Sequence, residues 1–591
     1  MDFTQIPDSY SIPQFLFSQQ KKNEPSNPVP WIVNSVTGDT FTRETLQRRT
    51  QFLAQAMVSK FNIGPDAVGK SHNHIFLSSI SFSSIVGIIS ANCVDYVTSF
   101  WAAHLVGAAV FVTNPGFSAQ ELVPQLLDAR PTLIIVQSDS FLAVREASIL
   151  TGLSHKRIVL MDSPSDQVQV ALPLELPFTV QDLVESGAQR TGAFAFTEFE
   201  LKPGEGKSKV AILFPSSGTM GSPKLILISH YAFIANILQA AAYDRGSGLN
   251  CYNPGDISCA ALPFFHILGF LINVEHLLLS MTVVIVPKFN IQFYIETIER
   301  FGVTHLLIVP PMISLFLKIL LEENWHNDSS PKSGCRVSSL ASLRVICIAG
   351  APLSEQVVKL ANLIPQATIG QIYGMTESGA LTAPTPGASI PTSHTNSGVV
   401  IYSVGKLLPG VISRVVKNNG SSALRGETGE LWVRSPSVAL GYSERREKEG
   451  VIRVLRWLQT GDEVYFDEND ELFVVQRIKG YMKVKGFRVN PAEIEGRLLQ
   501  HPDVVDCCVV AIPHEYCGQV PKAYVVLSSD ARNRFLSAKS EESHIRETLL
   551  QHASANMISY KHLTGGIEFC DSIPKTPSGK HIRRLLSMDS T

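Results

Sequence analysis

The chain is short of charge. Only 17% of its 591 residues are Asp, Glu, Lys or Arg, and 50 basic residues against 52 acidic ones leave a net charge of -2. With no bulk positive field there is no electrostatic footprint for nucleic acid, so any polyanion it binds must be gripped locally. Cysteine is scarce as well, with nine residues, an odd number, and no CxxC pair. In a chain too large to need staples, that pattern reads as free thiols in a reducing compartment. Long apolar runs are also missing. The longest stretch free of Asp, Glu, Lys, Arg and His, 75–94, is broken by six serines and an asparagine, a poor composition for the ~20 predominantly apolar residues that span a bilayer. No transmembrane segment is expected. The opening MDFTQIPDSYSIPQF carries Asp2 and Asp8, has no apolar core and precedes any arginine up to Arg43, which fits neither a secretory nor a mitochondrial leader. The closing MDST is not an S-K-L peroxisomal address. A cytoplasmic location is the expectation.

What is present is core material. Hydrophobic residues make up 45% of the chain, which excludes disorder over most of its length, and at roughly 150 residues per unit the prior is about four folding units. From Ile85 a short apolar run (IVGII) leads into a helical stretch to about Val106. A second run (AAVFVT), a helix opened by a Ser118/Glu121 capping box, and a third run (TLIIV) follow. That is β-α-β-α-β, the signature of a parallel sheet flanked by helices, with sites expected at the carboxyl ends of strands. THLLIVP, LRVICIAG and ATIGQIYG repeat the pattern downstream. From about Ile401 the alternation becomes antiparallel, with GVISRVV and GELWVRS around Asn419-Gly420 and a hairpin in FDENDELFVV. After 476–480 comes a unit of about 110 residues, VVDCCVVAIP, KAYVVL and the charged helix EESHIRETLLQH. The expected fold is α/β: a large N-terminal domain of helix-flanked, mostly parallel sheets plus a β-rich subdomain, followed by a small α+β C-terminal domain.

Two segments suggest phosphate binding. Residues 64–71, GPDAVGKS, satisfy the P-loop spacing of nucleoside triphosphatases. That motif needs a strand before it and a helix after it, and here Leu53, Met57 and Phe61 mark a helix in front, so a solvated turn is the better reading. In ILFPSSGTMGSPKLILISH (212–230) an apolar strand instead runs into a small-residue loop. Gly218 and Gly221 let the backbone approach a polyphosphate, Ser216, Ser217 and Thr219 add hydroxyls, and Lys224 adds a point charge. An ordinary flexible loop has a similar composition, so this segment alone leaves both readings open.

The other loops narrow the choice. With Ser216–Lys224, the segments Gly350–Leu353 (GAPL), Gln371–Glu377 (QIYGMTE), Thr460–Asp462 (TGD) and Lys575–Lys580 (KTPSGK) make the chain resemble the adenylate-forming superfamily. That group comprises acyl- and aryl-CoA synthetases, adenylation domains of peptide synthetases, and beetle luciferases. The likeness runs from about Trp31 to Arg584 and is nearest to the 4-coumarate-CoA-ligase-like branch.

The resemblance implies ATP-dependent activation of a small carboxylic acid to an acyl-adenylate, then thioester formation with CoA. Lys580 is expected to reach both the carboxylate and the α-phosphate, where charge develops. Glu377 is expected to hold Mg²⁺, Thr376 to contact a phosphate oxygen, Tyr373 with Gly350 and Ala351 to flank adenine, and Asp462 with Arg477 to hold the ribose. His266, Leu268, Gly374, Ala380 and Leu381 fall where relatives line the acid pocket. The likeness also implies domains at 1–475 and 481–591, the second a mobile lid, pivoting at a hinge at 476–480 that contains Lys479. Lys483 and Gly486 would then face the thioester-forming site.

The chain departs from the family at Gln476, where Asp is usual, and at Leu225, where Gly usually follows the loop lysine. Leu268 replaces a Tyr common in hydroxycinnamate ligases, which points to an apolar acid, because burying an unpaired hydroxyl costs roughly 1–3 kcal/mol. A stand-alone adenylation enzyme loading a carrier protein, and a non-catalytic nucleotide- or acyl-binding homologue, are the alternatives. A luciferase-like oxidase has no specific sequence sign, and a P-loop ATPase is the weakest reading.

Overall fold

The computed structural model describes residues 5–19, 29–64, 84–165, 177–189, 196–215, 224–247, 251–321, 337–353, 355–385, 388–396, 399–443, 457–480, 482–484, 487–514, 518–537, 539–555, 557, 559–576 and 579–588. Ser216, Ser217, Gly218, Thr219, Gly221 and Gly486 lie outside these, as do all but the first residue of the P-loop-like GPDAVGKS and most of the serine-rich 70–84 segment.

Two seven-stranded sheets form the large lobe. In the first, Ile85–Ile89 pairs in parallel with Ala109–Val112 on one side and Leu133–Val136 on the other. All three strands are buried along their whole length, as continuous apolar runs require when helices cover both faces of a parallel sheet. The expected capping box is formed: the Glu121 amide donates to Ser118 Oγ, and the Ser118 amide donates back to Glu121, opening helix Ala119–Ala129. Val210–Pro215 and Leu225–Ser229 close this sheet as an antiparallel hairpin, with Gly441–Tyr442 added at its edge. Leu225 therefore belongs to a strand. It is fully buried in the cluster with Leu213 and Leu227.

The second sheet carries Ile257–Ala260, His305–Ile308, Val345–Ala349 and Thr368–Ile372, all in parallel register. Helix Val94–Leu105 touches strands of both sheets and is buried on every side, with Tyr96, Phe100 and Trp101 at 0% exposure. An all-round apolar helix belongs in such a position.

Strands Ile412–Val416, Gly429–Arg434, Leu458–Phe466 and Leu472–Arg477 make the expected antiparallel sheet. A short 3₁₀ turn, Ile478–Gly480, leads from it to the smaller lobe. There Val504–His514 and Gly518–Leu527 form a long hairpin in a five-stranded sheet. Helices Pro491–Leu498 and Lys539–Ser554 pack on it through Ile494, Leu498, Ile545 and Leu549. Among the described residues, no helix is long and apolar enough to cross a membrane.

Candidate active site

Carboxyl ends of strands supply the site. Ile257–Ala260 ends shortly before His266, Val345–Ala349 runs into Gly350 and Ala351, and Thr368–Ile372 runs into Tyr373. Gly350 has φ +91°, a backbone state that glycine adopts without a Cβ penalty. Gln371 Nε2 donates to the Ala351 carbonyl at 3.1 Å, tying two of these ends together. The segment before His266 is held from the first sheet by buried Asn92. Its Nδ2 donates to the Leu262 carbonyl at 2.9 Å, and its Oδ1 accepts from the Phe264 amide at 2.8 Å.

Asp462 is the anchor on the antiparallel sheet. It is 4% exposed and lies directly opposite Arg477 in the hairpin register. The Tyr373 hydroxyl donates to one carboxylate oxygen at 2.7 Å, and Arg477 Nε donates to the other at 2.9 Å. Each oxygen retains a further lone pair, which suits a carboxylate meant to accept from a diol. Burial, then the adjacent Asp462 charge, pushes the Tyr373 phenol well above its ordinary pKa, so it remains a donor.

Thr376 and Glu377 occupy the tip of a tight hairpin, Gly374–Met375 against Gly379–Ala380. A Cβ on Gly374 would lie 2.3 Å from the Gly379 carbonyl, and Gly379 has φ +69°, so both positions require glycine. Buried Asn236 clamps the outgoing strand: the Ala380 amide donates to its Oδ1, and its Nδ2 donates to the Ala380 carbonyl, both at 2.8 Å. Ala380 and Leu381 are buried, and Leu268 is partly buried against the apolar core.

The Tyr442 hydroxyl donates to Glu377 Oε1 at 2.9 Å, and Lys224 Nζ stands 5.5 Å from the centroid of the same ring. Backbone bonds reinforce the link, the Ala439 amide donating to the Glu377 carbonyl and the Ser443 amide to the Leu225 carbonyl. The strand that follows the phosphate-type loop and the Glu377 hairpin are thus stitched together by one short segment.

Lys580 enters from the smaller lobe. Its neighbour Gly579 has φ +80°, and a Cβ there would lie 2.9 Å from Pro311 Cγ, so the lysine loop lies against the start of helix Pro310–Leu321. The Lys580 side chain remains open to solvent while both lobes crowd around it, as in an open cleft. That crowding and then the Arg477 charge hold its pKa below the usual lysine range, while Asp462 and Glu377 pull the other way. Burial and then Lys580 lower the half-buried His266 to about 4, leaving a neutral imidazole near pH 7. Lys580, Arg477, Asp462, Glu377 and His266 therefore share one electrostatic neighbourhood.

The backbone of Lys479 lies in the 3₁₀ turn and that of Lys483 in strand Met482–Val484. Tyr442, Asn236, Asn92 and Gln371 were not identified from the sequence as site residues. No local pattern in the sequence marks Tyr442, because its partner Glu377 lies far away in the chain.

The AMP-binding enzyme family model matches residues 76–443, and the model of the AMP-binding enzyme C-terminal domain matches residues 493–580. 4-Coumarate-CoA ligase 1 of Arabidopsis thaliana is 29% identical over 593 residues, covering 98% of this chain and 93% of its own. Acyl-CoA ligase easD of Emericella nidulans is 27% identical over 594 residues, covering 98% and 97%. The fold is shared with the anthranilate CoA ligase AuaEII in complex with anthranoyl-AMP, at a TM-score of 0.74 and 22% identity, covering 100% of this chain and 99% of that one. ATP-bound MatB from Rhodopseudomonas palustris gives a TM-score of 0.74 at 21% identity, covering 98% of each chain.

Proposed function

Since the chain belongs to the AMP-binding enzyme family, we propose that it joins a carboxylic acid to the α-phosphate of ATP, releasing pyrophosphate, and then passes the acyl group to the thiol of CoA, releasing AMP. The observation that carries this reading is that the Lys580 loop of the smaller lobe lies against Pro311 of the larger one, where Lys580 feels the charges of Asp462, Glu377 and Arg477 and His266 feels that of Lys580. A weak oxygen nucleophile attacks a polyanion in the first step, so the site must hold two anions in line and neutralise the charge that develops between them. Lys580 supplies that charge. Asp462 and Arg477 hold the ribose, Tyr373, Gly350 and Ala351 flank the adenine, and Thr376 with the Ser216, Ser217, Gly218, Thr219, Gly221 and Lys224 loop receives the phosphates.

Glu377 suits Mg²⁺. Its Oε1 accepts from Tyr442, while its Oε2 has no donor among the described residues, leaving a hard oxygen ligand of the kind that ion shares with phosphate and water. Bound there, Mg²⁺ would offset charge on the β- and γ-phosphates. In the second step the smaller lobe turns about 476–480 at Lys479, withdrawing Lys580 and presenting Lys483 and Gly486 to the pantetheine arm. Free CoA is favoured over a carrier thiol because the curated relatives are named CoA ligases. A purely nucleotide-binding role gives no reason for a lysine of the second lobe to approach the acid-side histidine.

Leu268, Ala380 and Leu381 give the acid pocket an apolar character, so the substrate is an aliphatic acid of medium length or an unhydroxylated aryl acid. Acid-dependent ATP/pyrophosphate exchange across an acid panel, followed by detection of the CoA thioester, tests the whole reading. Exchange with thioester supports it, exchange without thioester moves the acceptor to a carrier, and a strong preference for 4-coumarate over cinnamate and hexanoate overturns the substrate class.

A further inference from the structure

The lysine hairpin of the smaller lobe is fastened at both ends by a single carboxylate. Asp506 lies on strand Val504–His514. One of its oxygens is 2.6 Å from Lys575 Nζ and the other 3.2 Å from His581 Nε2. Lys575 enters the Lys580 loop and His581 leaves it, and the two pair directly as an isolated antiparallel bridge. Inside that bridge the Thr576 amide donates to the Lys580 carbonyl at 2.7 Å, and the Lys580 amide donates back to Thr576 Oγ1 at 3.1 Å. The Ile582 amide donates to the Pro574 carbonyl, closing the neck.

The clip is at least half-buried at each member, with side-chain exposures of 22% for Asp506, 31% for Lys575 and 20% for His581. Burial alone would raise the Asp506 carboxyl, yet its hydrogen bonds to His581 and Lys575 outweigh burial and hold it below the ordinary range. Glu495, Cys508 and His581 stand close enough to suggest a cation site. Arg583 engages both Glu495 oxygens at 2.7 and 2.8 Å, however, and the His581 Nε2 faces Asp506. Arg583 already neutralises the Glu495 charge, which leaves little to attract a second cation. The network is a set of satisfied ion pairs that locks the last segment of the chain onto the lobe's central hairpin.

Resting on the adenylation reading above, we propose that Asp506 is a positioning residue for the first half-reaction: by holding Lys575 and His581 together it sets the shape of the hairpin that delivers Lys580 to the cleft. Asp506 meets neither nucleotide nor acid; it acts through the hairpin alone. Misplacing a reacting group by about 1 Å can cost on the order of 10²-fold in rate, and an unclipped loop of single residues has ample freedom to do so.

The test is Asp506→Asn in the full chain, with Lys580 reactivity towards acetic anhydride followed by mass spectrometry. The Lys580 labelling rate should change severalfold from that of the parent chain, because the hairpin that sets its surroundings loosens. Exchange with hexanoic or cinnamic acid should fall about 10- to 100-fold, while thioester formation from the preformed acyl-adenylate holds its rate, a split that general destabilisation would not produce. Should Asp506→Asn fold poorly, Lys575→Met and His581→Gln each remove one partner and should show the same split in weaker form. Unchanged Lys580 labelling in a folded variant overturns the proposal, as does equal loss of both half-reactions. Normal exchange in Lys580→Ala would instead sink the adenylation reading, and normal exchange in Asp506→Asn beside an inactive Lys580→Ala sinks the positioning role alone.

Discussion

Tyr442 and Glu377 are joined by a 2.9 Å hydrogen bond from phenol to carboxylate, across 65 residues of chain. Because the ring also faces Lys224, one side chain reports on both the phosphate-type loop and the carboxylate proposed for the metal. Tyr442→Phe keeps the ring and deletes only the donor. A hydrogen bond to a charged group contributes about 1.5–3 kcal/mol, so exchange should fall roughly tenfold or more at limiting Mg²⁺. The Mg²⁺ concentration for half-maximal rate should rise. A titration of exchange rate against Mg²⁺ checks this, and an unchanged midpoint removes Tyr442 from the site.

Lys580 and His266 form the second testable pair. The lysine charge helps depress the histidine to about 4. Removing a positive neighbour favours the imidazolium, so Lys580→Met should raise the His266 pKa above that value, though burial still keeps it below 6.5. An NMR pH titration measures it without any acid substrate. In the same variant adenylation should drop by on the order of 10²- to 10³-fold. In the parent chain, a Lys580 pKa below the ordinary range means that exchange declines with rising pH earlier than a surface lysine would dictate. Arg477→Gln removes a repelling charge and should move that decline to higher pH.

Gly579→Ala probes the seam between the lobes. The added methyl would meet Pro311 at 2.9 Å on a backbone with φ +80°, so the docked arrangement becomes strained. Adenylation should slow while thioester formation from supplied acyl-adenylate continues. Single-turnover assays of the two steps separate them, and equal loss in both would argue against the seam.

Asn236→Ala should act mainly on stability. It strands the Ala380 amide and carbonyl in a buried setting, a cost of about 1–3 kcal/mol. Thermal denaturation should show it, with a weaker dependence of rate on acid identity if the pocket wall relaxes.

The sequence was most readable where burial is uniform. The runs at 85–89, 109–112 and 133–136 announce parallel strands because both of their faces are covered, and the Ser118/Glu121 cap is a purely local device. Leu225 was harder. Next to a phosphate-type lysine it looks like a departure from pattern, whereas its apolar character answers to the sheet that buries it. Lys580, Asp462 and Glu377 were singled out through motif spacing, and the structure sets their charges against one another. Tyr442, Asn236 and Asp506 were not, since their partners lie 65, 144 and 75 residues away, and no local periodicity encodes such pairings. Arg477 had lost its expected neighbour at Gln476, yet Asp462, opposite in the hairpin, meets it directly.

The ion pairs of Asp506 lie wholly within the smaller lobe, and that of Asp462 wholly within the larger. Neither has to be broken when the lobes part. What must separate at Gly579 is backbone abutting a proline ring, an uncharged contact whose strength depends on fit. Domain turnover should therefore feel ionic strength only through the Lys580 charge that faces Asp462, Glu377 and Arg477, while the seam itself is sensitive to a single methyl group.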